Sequence, residues 1–156
     1  MSSTNTNSQK GLMVVGVDGS RASIKALEWA AQSAERLGCS IEVISSWEPY
    51  IPSGELIGLG MAPGIAVPEL DPEEIALSVM KTAIDEVFND SPPPNLIYRT
   101  LMGDAGRILI QESEGANMLV LGSRGRGKLK GLVLGSVSTT CAARAKCPVL
   151  IVHSDE

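Results

Sequence analysis

MLVLGSRGRGKLKGLVLGS, residues 118–136, is the stretch whose reading decides the fold. It opens on a continuous apolar run, Met118 to Leu121, short enough for a strand buried on both faces. It then breaks into a loop carrying Gly122, Gly125, Gly127 and Gly131 among Arg124, Arg126, Lys128 and Lys130. It closes on Gly135-Ser136, after which Val137, Ser138, Thr139, Thr140, Cys141, Ala142 and Ala143 read as a helix. Glycines let main-chain N–H groups approach phosphate oxygens closely, and the open first turn of a helix adds further donors and partial positive charge. Two donor clusters are therefore expected to bracket one pocket, and a polyphosphate suits it better than a single carboxylate. The competing reading is a surface loop in which glycine serves turn geometry and the basic side chains are solvated.

Two phosphate-binding patterns fail on inspection. Gly122 to Lys128 reads G-x-x-x-x-G-K, but Leu129 stands where a P-loop needs Ser or Thr to ligate Mg²⁺. The dinucleotide fingerprint G-x-G-x-x-G also fails, because Gly125-x-Gly127 is followed by Lys130, with Gly131 one place late.

A third pattern fits. Gly122-x2-Gly125-x9-Gly135-Ser136 resembles the G-2x-G-9x-G-(S/T) nucleotide-binding signature of the universal stress protein family, in its ATP-binding subgroup. The resemblance runs from VVGVDGS, Val14 to Ser20, through CPVLIVH, Cys147 to His153, leaving out the N-terminal tail and much of the segment between Glu48 and Asp71. It implies ATP as the bound cofactor, with a Mg ion bridging its phosphates. The phosphates would lie around Gly122, Ser123, Arg124 and Gly125 on one side and Gly135-Ser136 on the other, with Leu121, Val137 and Ser138 also among the cofactor-binding residues. Ribose and adenine would lie toward Asp18 and the main chain of Trp47, and Gly103 would line the same rim.

Composition sets the frame. The chain has 156 residues, most simply one domain over 11–154 behind a polar, disordered tail over 1–10. Apolar residues make up 44% and aromatic ones only 3%, so the core must be built from Val, Ile, Leu, Ala and Met, as in a parallel sheet covered by helices. A net charge of −5 disfavours nucleic acid and anionic membrane as partners and makes the basic cluster a local exception suited to a small anion. Three cysteines, Cys39, Cys141 and Cys147, are odd in number and lack C-x-x-C spacing, which argues against a disulfide framework or zinc site and suits a reducing cytoplasm. No apolar h-region opens the chain, and no apolar run approaches the roughly 18 residues of a membrane span.

Taken in order, Leu12 to Val17 reads as a strand ending at Asp18-Gly19-Ser20, with Ser20 as the N-cap of a helix carrying Ile24, Leu27, Ala30, Ala31, Ala34 and Leu37 to a stop at Gly38. Asp18 sits at the rim where open parallel sheets bind ligands, although a loop aspartate can equally satisfy helix-start N–H groups. Ile41 to Trp47 is a second strand; Trp47 is either beside the ligand or an aromatic cap on the core. From 49 to 68 the chain is a long Pro- and Gly-rich loop.

Asp71-Pro72-Glu73-Glu74 starts the clearest helix, with Ile75, Val79, Met80, Ala83, Ile84, Val87 and Phe88 as its apolar stripe. Leu96 to Leu101 alternates like an edge strand, Asp104 reads as the N-cap of a helix through Ile108, Leu109 and Glu112, and Val149 to Val152 is a last strand. Five strands alternating with four helices predict an α/β fold: one doubly wound parallel sheet with helices on both faces. The resemblance implies the order 3-2-1-4-5 and a homodimer that covers the apolar last strand, with His153 at that interface or in the tail.

No nucleophile–base pair emerges, so binding is expected rather than turnover, with at most weak ATP hydrolysis. The leading expectation is an ATP-binding stress-response regulator or switch. The alternatives are an AMP or cyclic AMP sensor of the same fold, or a partner-binding dimer with a vestigial pocket and the 49–68 loop as its recognition surface.

Overall fold

The computed structural model describes residues 10–49, 71–126 and 133–155. The expected tail up to residue 9, the loop from residue 50 onward, and Gly127, Lys128, Lys130 and Gly131 of the basic loop lie outside the described residues. In chain order the elements are β1 (Gly11–Gly16), α1 (Arg21–Leu37), β2 (Cys39–Trp47), α2 (Pro72–Phe88), β3 (Ile97–Met102), α3 (Ala105–Glu112), β4 (Met118–Gly122), α4 (Ser136–Arg144) and β5 (Val149–Val152). The strands form one sheet in the order β3-β2-β1-β4-β5, and every neighbouring pair is parallel. Fold class and strand order are those expected.

Alternation along the strands divides the core into two layers. Met13, Val15, Ile41, Val43 and Val120 face α1 and α2, where they meet Ala26, Leu27, Ala30, Met80, Ala83 and Ile84. Val14, Ile44, Leu119 and Leu121 face α3 and α4, where they meet Leu109 and Cys141. Met13, Leu27, Met80 and Leu119 are fully buried, and removal of each such side chain from water contributes about 1.5–3 kcal/mol.

Local signals start and stop the helices as the sequence suggests. Ser20 Oγ accepts the Ser23 N–H at 3.2 Å, Asp71 accepts that of Glu73 at 2.9 Å, and Asp104 accepts that of Arg107 at 2.9 Å. Gly38 ends α1 in the left-handed region at φ 65°. Two positions depart from the expected stripes. Ile75 is exposed, because the buried row of α2 is Ala76, Met80, Ala83 and Ile84, one residue out of phase with it. Leu37 is 61% exposed, because it closes the last turn of α1 where Gly38 turns the chain back toward the sheet.

β3 is an edge strand and leaves Ile97, Tyr98 and Met102 exposed. Its Arg99 lies over the α3 face, with Nε 2.6 Å from buried Glu42 and the guanidinium also on Glu112. The hydrogen bonds to Glu112 and Glu42 raise the Arg99 pKa further. No helix among the described residues is long and apolar enough to cross a membrane.

β1 and β4 are neighbours at the centre of the sheet, yet their chains leave in opposite directions, through α1 to β2 and through α4 to β5. A crevice opens beyond the carboxyl ends of strands at such a switch point.

Candidate functional site

A cavity of about 640 Å³ occupies that crevice. Gly16, Val17, Asp18, Ser20 and Ser23 line it from β1 and the start of α1, Ile44 and Ser46 from β2, and Ala105 and Leu109 from α3. The opposite wall is Leu121, Gly122, Arg124, Gly125 and Arg126 after β4 and Leu134 to Thr140 leading into α4. The volume is of the size that holds a small organic ligand.

The loop after β4 and the start of α4 are fastened to each other. The carbonyl of Ser123 accepts the Gly135 N–H at 2.7 Å and lies 2.9 Å from Ser138 Oγ, which is also 3.0 Å from the Gly135 carbonyl. Ser123 and Ser138 are both buried. The two predicted donor clusters thus border one cavity, but their members divide the work. Ser123, Gly135 and Ser138 build the frame through Ser123 O, Gly135 N–H and Ser138 Oγ.

The helix start itself stays open. α1, α2 and α3 each carry a Ser or Asp cap, whereas α4 begins at Gly135 with no side-chain cap. The first intrahelical bond of α4 runs from Thr139 N–H to Gly135 O, so the N–H groups of Ser136, Val137 and Ser138 have no partner within the helix. All three residues line the cavity.

The two loop glycines serve different contacts. A Cβ on Gly122 would stand 2.6 Å from the carbonyl carbon of Ala22 and 2.7 Å from Ser23 N, so glycine here lets the end of β4 touch the backbone of the first turn of α1. A Cβ on Gly125 would instead meet Asp18 Oδ2 at 2.6 Å, on the cavity wall. Asp18 Oδ1 accepts the Ser20 N–H at 2.9 Å, and Ser20 Oγ donates to Arg124 O at 3.3 Å. Asp18 therefore does both things its sequence position allowed: it holds the helix start and presents an exposed carboxylate to the cavity.

Of the predicted residues, Asp18, Leu121, Gly122, Arg124, Gly125, Gly135, Ser136, Val137 and Ser138 line the cavity; Trp47, Gly103 and Ser123 do not. The reason for Trp47 is strand alternation. Ile44 and Ser46 project toward the α3 and α4 side and reach the cavity, so Trp47 shares the opposite face with Val43, which packs among α1 and α2. Its carbonyl is taken by the Gly103 N–H at 2.8 Å, and its indole Nε1 is buried with no hydrogen-bond partner among the described residues.

Sequence reading missed Ile44, Ser46, Gly16, Ala105 and Leu109. Ile44 and Ser46 carry the period-2 signal of one sheet face. Gly16 is an isolated glycine in an apolar strand, a mark of close approach: its Cβ would meet Leu121 Cδ2 at 2.7 Å and Leu109 Cδ1 at 2.9 Å.

Arg124 and Arg126 set positive charge on the cavity wall, and Asp18 is the one carboxylate there among the described residues. No cluster of three or more His, Cys, Asp or Glu side chains suited to a metal ion occurs among the described residues. Among the described residues, Asp18 is the lining carboxylate that could contact a metal ion at this cavity. Cys141 is buried on the inner face of α4 with Sγ 3.8 Å from Gly106 O, and burial pushes its thiol up to about 11. It is a neutral packing residue at ordinary pH.

The chain matches the model of the Universal stress protein family over residues 12–153. A universal stress protein of Mycobacterium bovis is 33% identical over 154 residues, a match that covers 92% of this chain and 48% of that protein. The chain spans about half the length of the curated relatives it matches. Among solved structures, the universal stress protein UspA from Lactobacillus plantarum superposes with a TM-score of 0.69 at 19% identity, covering 92% of this chain and 97% of that one. A universal stress protein in complex with cAMP gives 0.67 at 24% identity, covering 93% and 98%. A family protein from Arabidopsis thaliana with AMP bound gives 0.62 at 18% identity, covering 93% and 92%. The matched segment takes in all five strands and both walls of the crevice, and the chain belongs to the universal stress protein family.

Proposed function

We propose that this chain binds an adenine nucleotide, ATP in the first instance, in the crevice between β1 and β4, and serves as a nucleotide-dependent regulator or switch in stress response. The observation that carries this reading is the uncapped start of α4 latched against the loop after β4, with both on one cavity wall. Similar folds that hold cAMP and AMP support its adenine-nucleotide part.

In this reading the N–H groups of Ser136 and Val137 and the main chain of Gly125 take the first phosphate, with Arg124 beside them. The base lies against Val17, Ile44 and Leu109 near Ser46, and Asp18 accepts a ribose hydroxyl. Trp47 and Gly103 shape the rim by tying the ends of β2 and β3 together. A bound Mg²⁺ supplies charge neutralisation between phosphates. A nucleotide so placed touches the starts of α1 and α4 and the loop after β4 at once, so its arrival and departure alter how these three elements are held.

Apolar β5 lies at the sheet edge, and a homodimer through it is part of the proposal, as is a cytoplasmic setting. An Ile151→Lys variant that sediments at the same size as the unaltered chain would remove the β5 dimer.

Calorimetric titration with ATP, ADP, AMP and cyclic AMP tests the function. Tighter binding of ATP supports the switch. Tighter binding of AMP or cyclic AMP transfers the site to a sensor role, the second reading, which the nucleotides in the similar folds favour. No binding of any of the four leaves a partner-binding protein with a vestigial pocket.

A further inference from the structure

We propose that Arg126 sets the length of phosphate chain that the cavity prefers, selecting nucleoside di- and triphosphates over monophosphates. The inference rests on the nucleotide reading above and concerns a residue that the glycine signature does not include. Arg126 follows Gly125 and lines the cavity at its α1 and α2 side, since it also lines a second, smaller cavity of about 160 Å³ with Gly19, Ile24, Val79 and Thr82. Its guanidinium lies over the bare main chain of Gly19: a Cβ there would meet Arg126 Nη2 at 2.6 Å and Val79 Cγ1 at 2.6 Å. Gly19 also has φ 81°, so both its conformation and the space above it call for glycine.

The placement separates two anion positions. The open N–H groups of α4 lie on the α3 and α4 side of the sheet, where the proposed site places the first phosphate. Arg126 lies over Gly19, just past the end of β1, on the α1 and α2 side. A monophosphate held at the α4 N–H groups ends before reaching it, whereas a second or third phosphate extends toward the guanidinium, which attracts it. Among the described residues Arg126 has no ion pair or hydrogen bond to give up. Its planar fork matches two phosphate oxygens at once.

The test is calorimetry on the full chain and on its Arg126→Gln and Arg126→Lys variants with ATP, ADP and AMP, with thermal melts confirming that the variants fold. Arg126→Gln is expected to weaken ATP and ADP at least about tenfold and to change AMP less than about twofold, with Arg126→Lys in between because it keeps the charge and loses the fork. Equal weakening of all three nucleotides, or unchanged ATP affinity in Arg126→Gln, overturns the role of Arg126 while leaving the nucleotide site in place. An unaltered chain that binds none of the three overturns the nucleotide reading, and the Arg126 proposal falls with it.

Discussion

The hydroxyl of Ser138 lies 2.9 Å from the carbonyl oxygen of Ser123, a buried contact between residues fifteen positions apart that joins the first turn of α4 to the loop after β4. Together with the 2.7 Å bond from Gly135 N–H to the same carbonyl, it holds the two walls of the cavity in register. The glycine signature and the helix start form one unit because of this oxygen.

Replacing Ser138 with Ala removes one donor and leaves the Gly135 bond. The expected cost is about 1 kcal/mol of stability, the net value of one buried hydrogen bond, with a several-fold loss of nucleotide affinity as the helix start loosens. Urea denaturation followed by tryptophan fluorescence measures the first effect. A variant as stable as the unaltered chain would mean that Gly135 alone holds the latch.

The two loop glycines predict opposite outcomes. In Gly122→Ala the new methyl group meets the backbone of Ala22 and Ser23, which cannot step aside, so the variant should lose about 2 kcal/mol or more of stability. In Gly125→Ala the neighbour is the end of the Asp18 side chain, which can rotate away. Stability should then change by less than about 1 kcal/mol, while ATP affinity falls about tenfold, equivalent to about 1.4 kcal/mol. Denaturation midpoints and calorimetry on the pair separate a packing glycine from a site glycine; equal loss of stability in both would erase the distinction.

Cys141 supplies a pH dependence. Its thiol is raised from an ordinary 9.0 to about 11 in the folded chain, so between those values the unfolded chain has lost a proton that the folded chain keeps. Its contribution to stability is complete below pH 9 and declines as pH rises toward about 11, by no more than roughly 3 kcal/mol. Cys141→Ala lowers stability at neutral pH by about 1 kcal/mol through the lost volume, but should show a shallower decline above pH 9. Parallel stability curves for the two proteins would contradict the burial account.

How much of this was legible beforehand differs by element. The succession of strands and helices along the chain follows from local signals: Ser20, Asp71 and Asp104 cap the helices they precede, and Gly38 ends α1. The order of strands in the sheet rests instead on the family resemblance. The spacing Gly122-Gly125-Gly135-Ser136 located the crevice, because its parts sit on the two elements that diverge from the switch point. It did not tell the glycines apart. Gly122 is pinned by Ala22, a neighbour one hundred positions away in sequence, and only the packing of α1 on β4 brings them together.

Trp47 illustrates a different limit. Apolar spacing ends β2 at the sheet's rim, but which face of that strand the cavity uses depends on where α3 and α4 pack, and alternation gives the lining position to Ser46. Ile75 and Leu37 fit apolar stripes by spacing, but the phase of α2 against the sheet turns Ile75 outward and the end of α1 leaves Leu37 exposed. Ser138, grouped with the ligand donors, uses its hydroxyl to hold Ser123, a role that no spacing rule distinguishes from phosphate binding.

The most direct test of the central claim is a ¹H–¹⁵N NMR titration of the folded chain with ATP, following the amides of Gly125, Ser136 and Val137. Convergence of both walls on one phosphate chain predicts that all three shift along a common saturation curve, while the amide of Leu119, deep in the sheet, stays in place. Shifts confined to one wall, or separate midpoints for Gly125 and Ser136, would contradict it.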